Sequence, residues 1–301
     1  MSGFSKSPWI IHYDASSCNG CDIEVLACLT PVFDVERLGV INTGNPKHAD
    51  IFLVTGAVNE QSRDVICNIY HQLPEPKVVV AVGACAASGG IFRECYNISG
   101  GVDSIIPVDV YVPGCAARPE AIIDGVVQAL GVLERKQKEM TAIANSLDKA
   151  LYVRAEKNDA PEILALQKIA YRSEAEIYGD DSLPVLQQTL EELQGDFDRE
   201  MFIKAVVNGK IIGSMRGHAL NETAACLSRV VVHPYFQGRG IGRRLVEEME
   251  KAFPKAQRFE VFTGHKSETN LNRFRKLGYR EFKTEPFTPA INWVYLQKER
   301  Q

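Results

Sequence analysis

Four cysteines follow short apolar runs and stand in glycine-containing turns, and this recurrence constrains the fold more than any other feature. The runs are β-rich and bounded by turn residues: Trp9 to Tyr13 before Cys18-Asn19-Gly20-Cys21, Val78 to Val82 before Gly83-Ala84-Cys85, and Val108 to Val112 before Pro113-Gly114-Cys115. Segments of helical periodicity, such as Glu60 to Leu73, separate them, which predicts a parallel α/β sheet. Because ligand sites collect at the carboxyl ends of such strands, we expect the four thiols to converge on one edge.

Thiols grouped in this way are candidate ligands of a cluster or a metal ion. The chain has eight cysteines, and since a cytosolic protein keeps its thiols reduced, ligation explains them better than a disulfide framework. Structural zinc usually shows two paired knuckles, whereas here one C-x-x-C pair is joined by two distant single cysteines. The spacing therefore favours a 4Fe-4S cluster and leaves zinc open. We interpret the remaining cysteines as small buried apolar residues: Cys28, Cys67, Cys95 and Cys226.

Length and composition predict a soluble protein of two domains. Of the 301 residues, 45% are hydrophobic and 24% are charged. No apolar stretch approaches the roughly 18 residues that span a bilayer, and Met1 to Pro8 lacks the long apolar segment of a secretory signal. The net charge of -4 and the lack of a basic run argue against nucleic acid as a partner. We expect a cytoplasmic protein that only partner subunits could hold at the inner face of the cell membrane.

A polar stretch marks the boundary between the two domains. From Glu120 onwards apolar residues recur at helical spacing and end in the charged run Glu134 to Glu139, which predicts a terminal helix. A β-like run begins near Ala150, and Asp159-Ala160-Pro161 then signals a new helix. We therefore predict a first domain over residues 1–138, a linker over 139–149 and a second domain over 150–301.

The motifs around the four cysteines resemble those of a known family. They are Ser17-Cys18-Asn19-Gly20-Cys21-Asp22-Ile23-Glu24, Gly83-Ala84-Cys85-Ala86-Ala87-Ser88-Gly89-Gly90 and Pro113-Gly114-Cys115-Ala116-Ala117-Arg118-Pro119-Glu120. The family is the small subunit of energy-converting, membrane-bound nickel-iron hydrogenases, which is similar to the 20 kDa subunit of respiratory complex I. The resemblance covers about residues 6 to 135 and implies a flavodoxin-like fold with one 4Fe-4S cluster. Its implied ligands are Cys18, Cys21, Cys85 and Cys115.

The same resemblance implies an oxidoreductase subunit that works with partners. No second cysteine set supplies another redox centre here, so the family's nickel-iron large subunit and ferredoxin-like subunits would have to provide one. Glu24, three residues after Cys21, is a candidate for proton transfer, although a helix-start carboxylate facing the helix dipole explains it as well. One departure is Ala116-Ala117, where the family usually has two prolines. The change affects the stiffness of the loop and removes no ligand.

A glycine-rich turn in the second half predicts a phosphate-bearing ligand. The strand-like run Leu227 to Pro234 leads through Gln237-Gly238-Arg239-Gly240-Ile241-Gly242 into a helix, and such a turn offers free N–H groups to an anion. It lacks the Lys-Ser/Thr of a P-loop and the acidic residue of a Rossmann unit. The pattern Q-x-x-G-x-G instead resembles the acetyl-CoA pyrophosphate loop of the GNAT family of N-acetyltransferases. That resemblance covers about residues 150 to 297.

The resemblance to the GNAT family implies an α+β domain with a mixed sheet, in which acetyl-CoA lies beside a splayed strand and an amine attacks the thioester of acetyl-CoA. The cofactor-binding residues it implies are Val231, Val232, Gln237, Gly238, Arg239, Gly240, Ile241, Gly242 and Asn270. Many members have a glutamate on the strand before the loop, where this chain has Cys226 and Ser228. Many also have, at the position of Phe274, a tyrosine that acts as the general acid for the leaving thiolate. Phe274 has no proton to donate.

Other residues could supply the missing base, and the amine acceptor is not identified by the sequence. The candidates are Glu222, His218 and His265, each of which is also explained as a surface residue, while Tyr279 is expected to pack behind the closing turn. Three functions stay open. We favour an electron-transfer subunit fused to an acetyltransferase-like domain, over a redox-sensing acetyltransferase and over an inactive domain used for assembly.

Overall fold

Residues 7–179, 183–288 and 291–300 are described by the computed structural model of the chain. The chain divides into a first unit that ends at Ala142 and a second unit that begins at Ile143. The domain limits predicted from the sequence stay a prediction, but the terminal helix of the first unit extends past residue 138 to Ala144. It does so because Met140 and Ile143 continue the apolar spacing, and Ile143 is buried.

The first unit contains a five-stranded parallel sheet. Its strands, together with two short ones that pair separately, are β1 (Trp9–Asp14), β2 (Ile41–Asn42), β3 (Ile51–Thr55), β4 (Val58–Asn59), β5 (Val78–Val82), β6 (Ile98–Gly100) and β7 (Val110–Val112). Its helices are α1 (Gly20–Cys28), α2 (Glu60–Gln72), α3 (Gly83–Ser88) and α4 (Pro119–Ala144). The order β2-β1-β3-β5-β7 is the flavodoxin-like arrangement, which confirms the predicted fold class.

Burial on both faces explains why these runs form a parallel sheet. Every residue of β3 and β5 is buried, and the strands are rich in valine and other apolar residues, as strands covered on both sides must be. Separate apolar clusters pack on the two faces of the sheet. The predicted helix after Asn59 begins with a capping box, in which the Asn59 side chain accepts from the Ser62 backbone N–H.

The second unit contains a mixed sheet, as predicted, and this sheet has seven strands in the order β13-β14-β12-β11-β10-β9-β8. Its strands are β8 (Leu151–Arg154), β9 (Met201–Val207), β10 (Lys210–Ala219), β11 (Ala224–Val232), β12 (Arg258–Gly264), β13 (Arg280–Thr288) and β14 (Ile291–Glu299). Its helices are α5 (Ala160–Ala170), α6 (Arg172–Tyr178), α7 (Pro184–Gln187), α8 (Leu190–Asp196), α9 (Ile241–Ala252) and α10 (Glu268–Lys276). Neighbouring strands are antiparallel except β11 and β12, which are parallel.

The parallel pair opens part of the way along its length. β11 and β12 pair only from Ala224 to Leu227, although both strands continue beyond that point. Beyond it β11 remains paired with β10 across a register shift, and Arg229 adopts a left-handed φ of 49°. Such a bulge turns the strand away from its neighbour. The sheet therefore has a gap between the carboxyl-terminal halves of β11 and β12.

No helix within the described residues combines the length and the apolar character that crossing a membrane requires.

Candidate functional sites

The four predicted cluster ligands lie in the loops and helix starts that follow three strands at one edge of the first sheet. Cys18 and Cys21 follow β1, Cys85 lies in α3 directly after β5, and Cys115 follows β7. Because the strands are parallel, all of these loops lie at the carboxyl edge. Two contacts join them: the Ala84 backbone N–H donates to the Gly114 carbonyl at 2.8 Å, and the Ala117 backbone N–H donates to Cys21 Sγ at 3.5 Å.

The thiols influence one another electrostatically. Burial raises the pKa of Cys85, and the neighbouring thiols of Cys115, Cys18 and Cys21 raise it further. Burial likewise raises the pKa of Cys21, partly offset by the Ala117 N–H, with Cys115 and Cys18 adding to the increase. A raised pKa favours the neutral thiol at Cys21 and Cys85, and a positively charged group that binds these two sulfurs would have to displace their protons. Within the described part of the chain, no three His, Cys, Asp or Glu side chains lie close enough together to hold a single metal ion.

Glycines make the close approach of these loops possible. A Cβ on Gly83, whose φ is 87°, would overlap Cys21 Sγ, and one on Gly90 would lie 2.9 Å from Cys85 Sγ. A Cβ on Gly114 would lie 2.5 Å from the Cα of Ala117. Backbone that approaches sulfur and offers N–H groups is what an iron-sulfur cluster requires of its protein. The four thiols and this backbone therefore fit a 4Fe-4S cluster.

The C-x-x-C turn itself uses one residue in a left-handed conformation. Asn19 adopts a left-handed φ of 66°, whereas Gly20 does not and instead provides space for a neighbouring side chain. A Cβ on Gly20 would lie 3.2 Å from Ala116 Cβ, so the alanine that replaces the family's proline packs directly on this turn.

Glu24 lies beyond the first turn of α1, and the acidic residue of that turn is Asp22. The interpretation of Glu24 as a carboxylate at the helix start is therefore weakened, since the dipole effect decays within one turn. Its charge contributes to raising the pKa values of both Cys21 and Cys28, secondary to burial. Glu24 is thus close to the cluster loops, and its role in proton transfer stays a prediction.

The remaining cysteines are not all buried. Cys28 and Cys226 are buried. Burial, with smaller contributions from nearby carboxylates, raises the pKa of each to about 11. Cys67 is half-buried, whereas Cys95 is exposed. The interpretation of Cys95 as a buried apolar residue is wrong because it lies in the irregular loop between α3 and β6.

In the second unit the glycine-rich loop connects β11 to α9. Gly238 and Gly240 adopt left-handed φ values of 76° and 84°, a region that favours glycine. The Gln237 side chain donates to the Val232 carbonyl at 3.1 Å and fastens the loop to the end of the strand. No side chain caps α9 at Gly240, so none of its first N–H groups is hydrogen-bonded to a capping side chain. This is the geometry of an anion site at a helix start.

Two cavities adjoin this loop and the gap in the sheet. One, of about 210 Å³, is lined by the predicted cofactor residues Val231, Val232, Gln237 and Asn270 together with Arg273. The other, of about 180 Å³, is lined by Phe262, Thr263 and Gly264 of β12 and by Arg229 of β11, with aromatic residues around them. Three residues line both cavities: Tyr171, Glu174 and Asn270. We call the first, 210 Å³ cavity the cofactor cavity and the second, 180 Å³ cavity the acceptor cavity.

Glu174 of α6 is the carboxylate that lines both cavities. Its Oε1 accepts hydrogen bonds from Ser267 Oγ at 2.5 Å and from Asn270 Nδ2 at 2.9 Å. Arg273 in turn donates to Asn270 Oδ1 at 3.1 Å. Sequence reasoning missed Glu174, since no motif surrounds it and it precedes the glycine-rich loop by more than sixty residues. Only tertiary packing brings it to the gap.

The base candidates named from the sequence lie elsewhere. Glu222 is exposed in the turn before β11, and His218 lies 3.5 Å from Glu200. The Nδ1 of His265 accepts from the Asn292 backbone N–H at 3.1 Å. None of these described side chains lines the cofactor cavity or the acceptor cavity.

Phe274 and Tyr279 belong to the packing of the closing turn. Both are buried, and their ring centroids lie 5.6 Å apart. The Tyr279 hydroxyl donates to Glu250 at 2.7 Å, and burial together with that carboxylate raises the pKa of Tyr279. The prediction that Tyr279 packs behind the turn is confirmed.

Comparison with known proteins separates the same two regions. The family model of the NADH ubiquinone oxidoreductase 20 Kd subunit matches residues 18–129, and that of the acetyltransferase (GNAT) family matches residues 162–279. A probable membrane-bound hydrogenase subunit of Pyrococcus furiosus is 53% identical over 133 residues, which cover 44% of this chain and 80% of that protein.

Two further similarities concern one region each. Formate hydrogenlyase subunit 7 of Escherichia coli is 46% identical over 131 residues. The matched region covers 44% of this chain and 51% of that relative, so the chain spans about half the length of that relative. The solved structure of an acetyltransferase from Thermus thermophilus has 18% sequence identity and a TM-score of 0.42, covering 50% of this chain and 97% of that one.

Proposed function

Since the chain belongs to the family of the 20 kDa subunit of NADH-ubiquinone oxidoreductase and continues into a GNAT acetyltransferase domain, we propose that it combines electron transfer with acetyl transfer. The first unit would hold a 4Fe-4S cluster through Cys18, Cys21, Cys85 and Cys115. When bound, such a cluster accepts and returns one electron. The grouping of four thiols and close-approach glycines at one sheet edge carries this part of the proposal.

Electron transfer needs a second redox centre in a neighbouring subunit. The related proteins include subunits named for membrane-bound hydrogenase and formate hydrogenlyase. By that relation, the partners of this chain would be a nickel-iron large subunit and ferredoxin-like subunits. They would hold it at the inner face of the cell membrane.

The test of the cluster is iron and acid-labile sulfide analysis of the full chain purified without oxygen. We expect about four irons per chain and a paramagnetic signal on reduction. Cys85→Ser should lose the signal, while Cys95→Ser, which changes a cysteine outside the four, should keep it. Stoichiometric zinc with little iron would contradict a cluster and favour the zinc alternative.

For the second unit we infer acetyl transfer from acetyl-CoA to an amine. The open end of the β11 and β12 pair, beside the glycine-rich loop and between two cavities, carries this part of the proposal. The backbone of Gln237 to Gly242 would bind the pyrophosphate, with Val231 and Val232 along the pantetheine arm. Asn270, which lies between the cavities, would orient that arm.

The reaction requires two protons to leave the acceptor's ammonium nitrogen and one to reach the CoA sulfur. The amine nitrogen attacks the thioester carbon, so that a C–N bond forms while the C–S bond breaks and CoA departs as a thiolate. The ammonium form of the acceptor must first lose one proton. Once the C–N bond has formed, the nitrogen loses a second proton, and the departing thiolate takes up one proton. Glu174 is placed to accept the acceptor's proton because it lines both cavities and is oriented by Ser267 and Asn270. It would replace the strand glutamate that Cys226 and Ser228 do not supply.

Calorimetry of the full chain with acetyl-CoA tests this function. Gly240→Val places a branched side chain at a φ of 84° in the loop and should weaken binding about tenfold or more. Gly209→Val is the matched control, since Gly209 has a φ of 79° in the β9–β10 turn and equally open surroundings. Absence of binding at millimolar acetyl-CoA would refute the proposal.

A further inference from the structure

Among the described residues that line it, the acceptor cavity combines apolar walls with two charged side chains, Glu174 and Arg229. Its walls are aromatic and aliphatic: Tyr178, Leu183, Val185, Phe262, Phe287, Ile291 and Trp293. Cavities of this composition select an apolar body and use a few polar groups to orient it. The hydrogen-bond and ion-pair partners that these two charged groups lack therefore indicate which groups the acceptor carries.

Arg229 is held at the position where the sheet opens. It is the residue of β11 with a φ of 49°, two positions beyond the last pairing with β12. A left-handed conformation at a residue other than glycine is unfavourable and persists where the surrounding structure enforces it. The strand thus directs a guanidinium into the acceptor cavity rather than along the sheet.

The guanidinium of Arg229 has little compensation for its charge. Its hydrogen-bond partner is the amide oxygen Oε1 of Gln188 at 3.1 Å, and it forms no ion pair with a carboxylate of the described residues. Burial lowers the pKa of Arg229 and the charge of Arg216 lowers it further, while Tyr171 and the more distant carboxylates of Asp196 and Glu200 offset part of this decrease. Arg216 itself forms ion pairs with Asp196 at 2.5 Å and Glu200 at 3.1 Å. A half-buried guanidinium that keeps free donors in a cavity is a site for an anion, above all a carboxylate.

Glu174 supplies the opposite charge at the boundary with the cofactor cavity. Ser267 and Asn270 both donate to its Oε1, and no hydrogen bond or ion pair from the described residues reaches its Oε2. That oxygen can therefore accept from an ammonium group. An amine at Glu174 would lie where the two cavities meet, which is where a thioester must be attacked.

We propose that the acceptor is an amine that also carries a carboxylate and an apolar side chain, the class formed by free apolar α-amino acids. The carboxylate would bind Arg229, the amino group would face Glu174, and the side chain would lie against the aromatic walls. This inference rests on the proposed acetyl transfer and names its substrate class. An amine without a carboxylate would leave the Arg229 charge uncompensated in the bound state.

Three ligands that differ by one group test the inference. They are L-phenylalanine, phenethylamine, which lacks the carboxylate, and 3-phenylpropanoate, which lacks the amine. Titration calorimetry of the full chain, with and without saturating acetyl-CoA, should show phenylalanine binding about tenfold or more tightly than either analogue. In Arg229→Gln the advantage over phenethylamine should disappear, while Arg229→Lys should keep part of it.

Arg275→Gln is the matched control, because Arg275 is an exposed arginine of α10 paired with Glu281 and lines neither cavity. Unchanged acetyl-CoA affinity in Arg229→Gln would show that the variant is folded. Phenethylamine binding as tightly as phenylalanine, an equal loss of both in Arg229→Gln, or no binding of either at millimolar concentration would overturn the inference.

This experiment distinguishes a failure of the proposed acetyl transfer from a failure of the proposed amino-acid acceptor. Phenylalanine binding without any acetyl-CoA binding would refute acetyl transfer and leave the amino-acid site standing. Acetyl-CoA binding with turnover of phenethylamine in preference to phenylalanine would support acetyl transfer and refute the amino-acid acceptor.

Discussion

The two units form their sites in opposite ways. In the first unit all strands stay paired, and the site lies in loops that leave the carboxyl edge of an intact parallel sheet. In the second unit the site exists because β11 and β12 stop pairing after Leu227 and Val261. The first arrangement presents reactive side chains, the four thiols, whereas the second presents backbone N–H groups and a gap. The two sites should consequently respond to different kinds of substitution.

The largest effect is expected from a substitution that keeps every thiol. Gly83→Ala puts a Cβ into Cys21 Sγ, so we expect little or no iron to be bound although all four cysteines remain. Gly39→Ala is the control, since Gly39 has a φ of 81° but open space around it and should lose only about 1–2 kcal/mol of stability. Iron analysis and the spectrum of the reduced protein measure the difference. Normal iron content in Gly83→Ala would show that the first site does not depend on close backbone approach.

The second site should be most sensitive at Glu174. If this carboxylate accepts the acceptor's proton, Glu174→Gln should lower kcat for acetylation of L-phenylalanine by about 10² to 10⁴-fold. Acetyl-CoA affinity should change little, because the glycine-rich loop would supply most of that binding. Glu268→Gln, an exposed glutamate at the start of α10, should have no such effect. A kcat within about twofold of the unaltered chain would exclude Glu174 as the base.

A smaller effect concerns two ion pairs of the second unit that differ in burial. Asp196 pairs with Arg216, whose side chain is only 6% exposed, so Asp196→Asn should lower the free energy of unfolding of the second unit by about 3 kcal/mol. Asp198→Asn removes an exposed pair with Lys157 and should cost about 1 kcal/mol or less. Denaturant unfolding at neutral pH compares the two. Equal losses would show that burial does not distinguish these pairs.

The contribution of Asp196 should also depend on pH. Burial raises the pKa of Asp196, but the hydrogen bond and charge of Arg216 outweigh this and bring it below the ordinary value of 3.8. A carboxyl group with a lowered native pKa stabilises the fold above the pKa of the unfolded chain and loses that contribution as pH falls through the native value. The stability difference between Asp196→Asn and the unaltered chain should therefore be constant near neutral pH and shrink below about pH 4. A difference that persists at pH 2 would contradict this origin.

The sequence was informative where chemistry and periodicity coincide. The runs around Val80 and Val110 predicted parallel strands because segments of helical periodicity separate such runs, and the Val80 run is apolar along its length because it is buried on both faces. The cysteines after them could be grouped because parallel strands bring their carboxyl ends together. The loop from Gln237 to Gly242 was recognisable because two left-handed positions favour glycine.

Residues without a motif could not be placed in the same way. Cys95 was expected to be buried like Cys28, but burial depends on which loop covers a residue, and no local pattern reports that. His265 was a reasonable base by residue type, yet its Nδ1 is engaged by the Asn292 backbone and its side chain lies outside both cavities.

The sequence by itself determined the fold class of both halves and the residues that define each loop, since these depend on local periodicity, turn chemistry and residue type. Only the tertiary structure decided which distant side chains face the gap in the second sheet. Glu174 and Arg229 reach it from α6 and β11, and neither carries a signal in its neighbours. The physical reason is that a gap left by unpaired strands is lined by whatever packs across it, and that packing is a property of the whole domain.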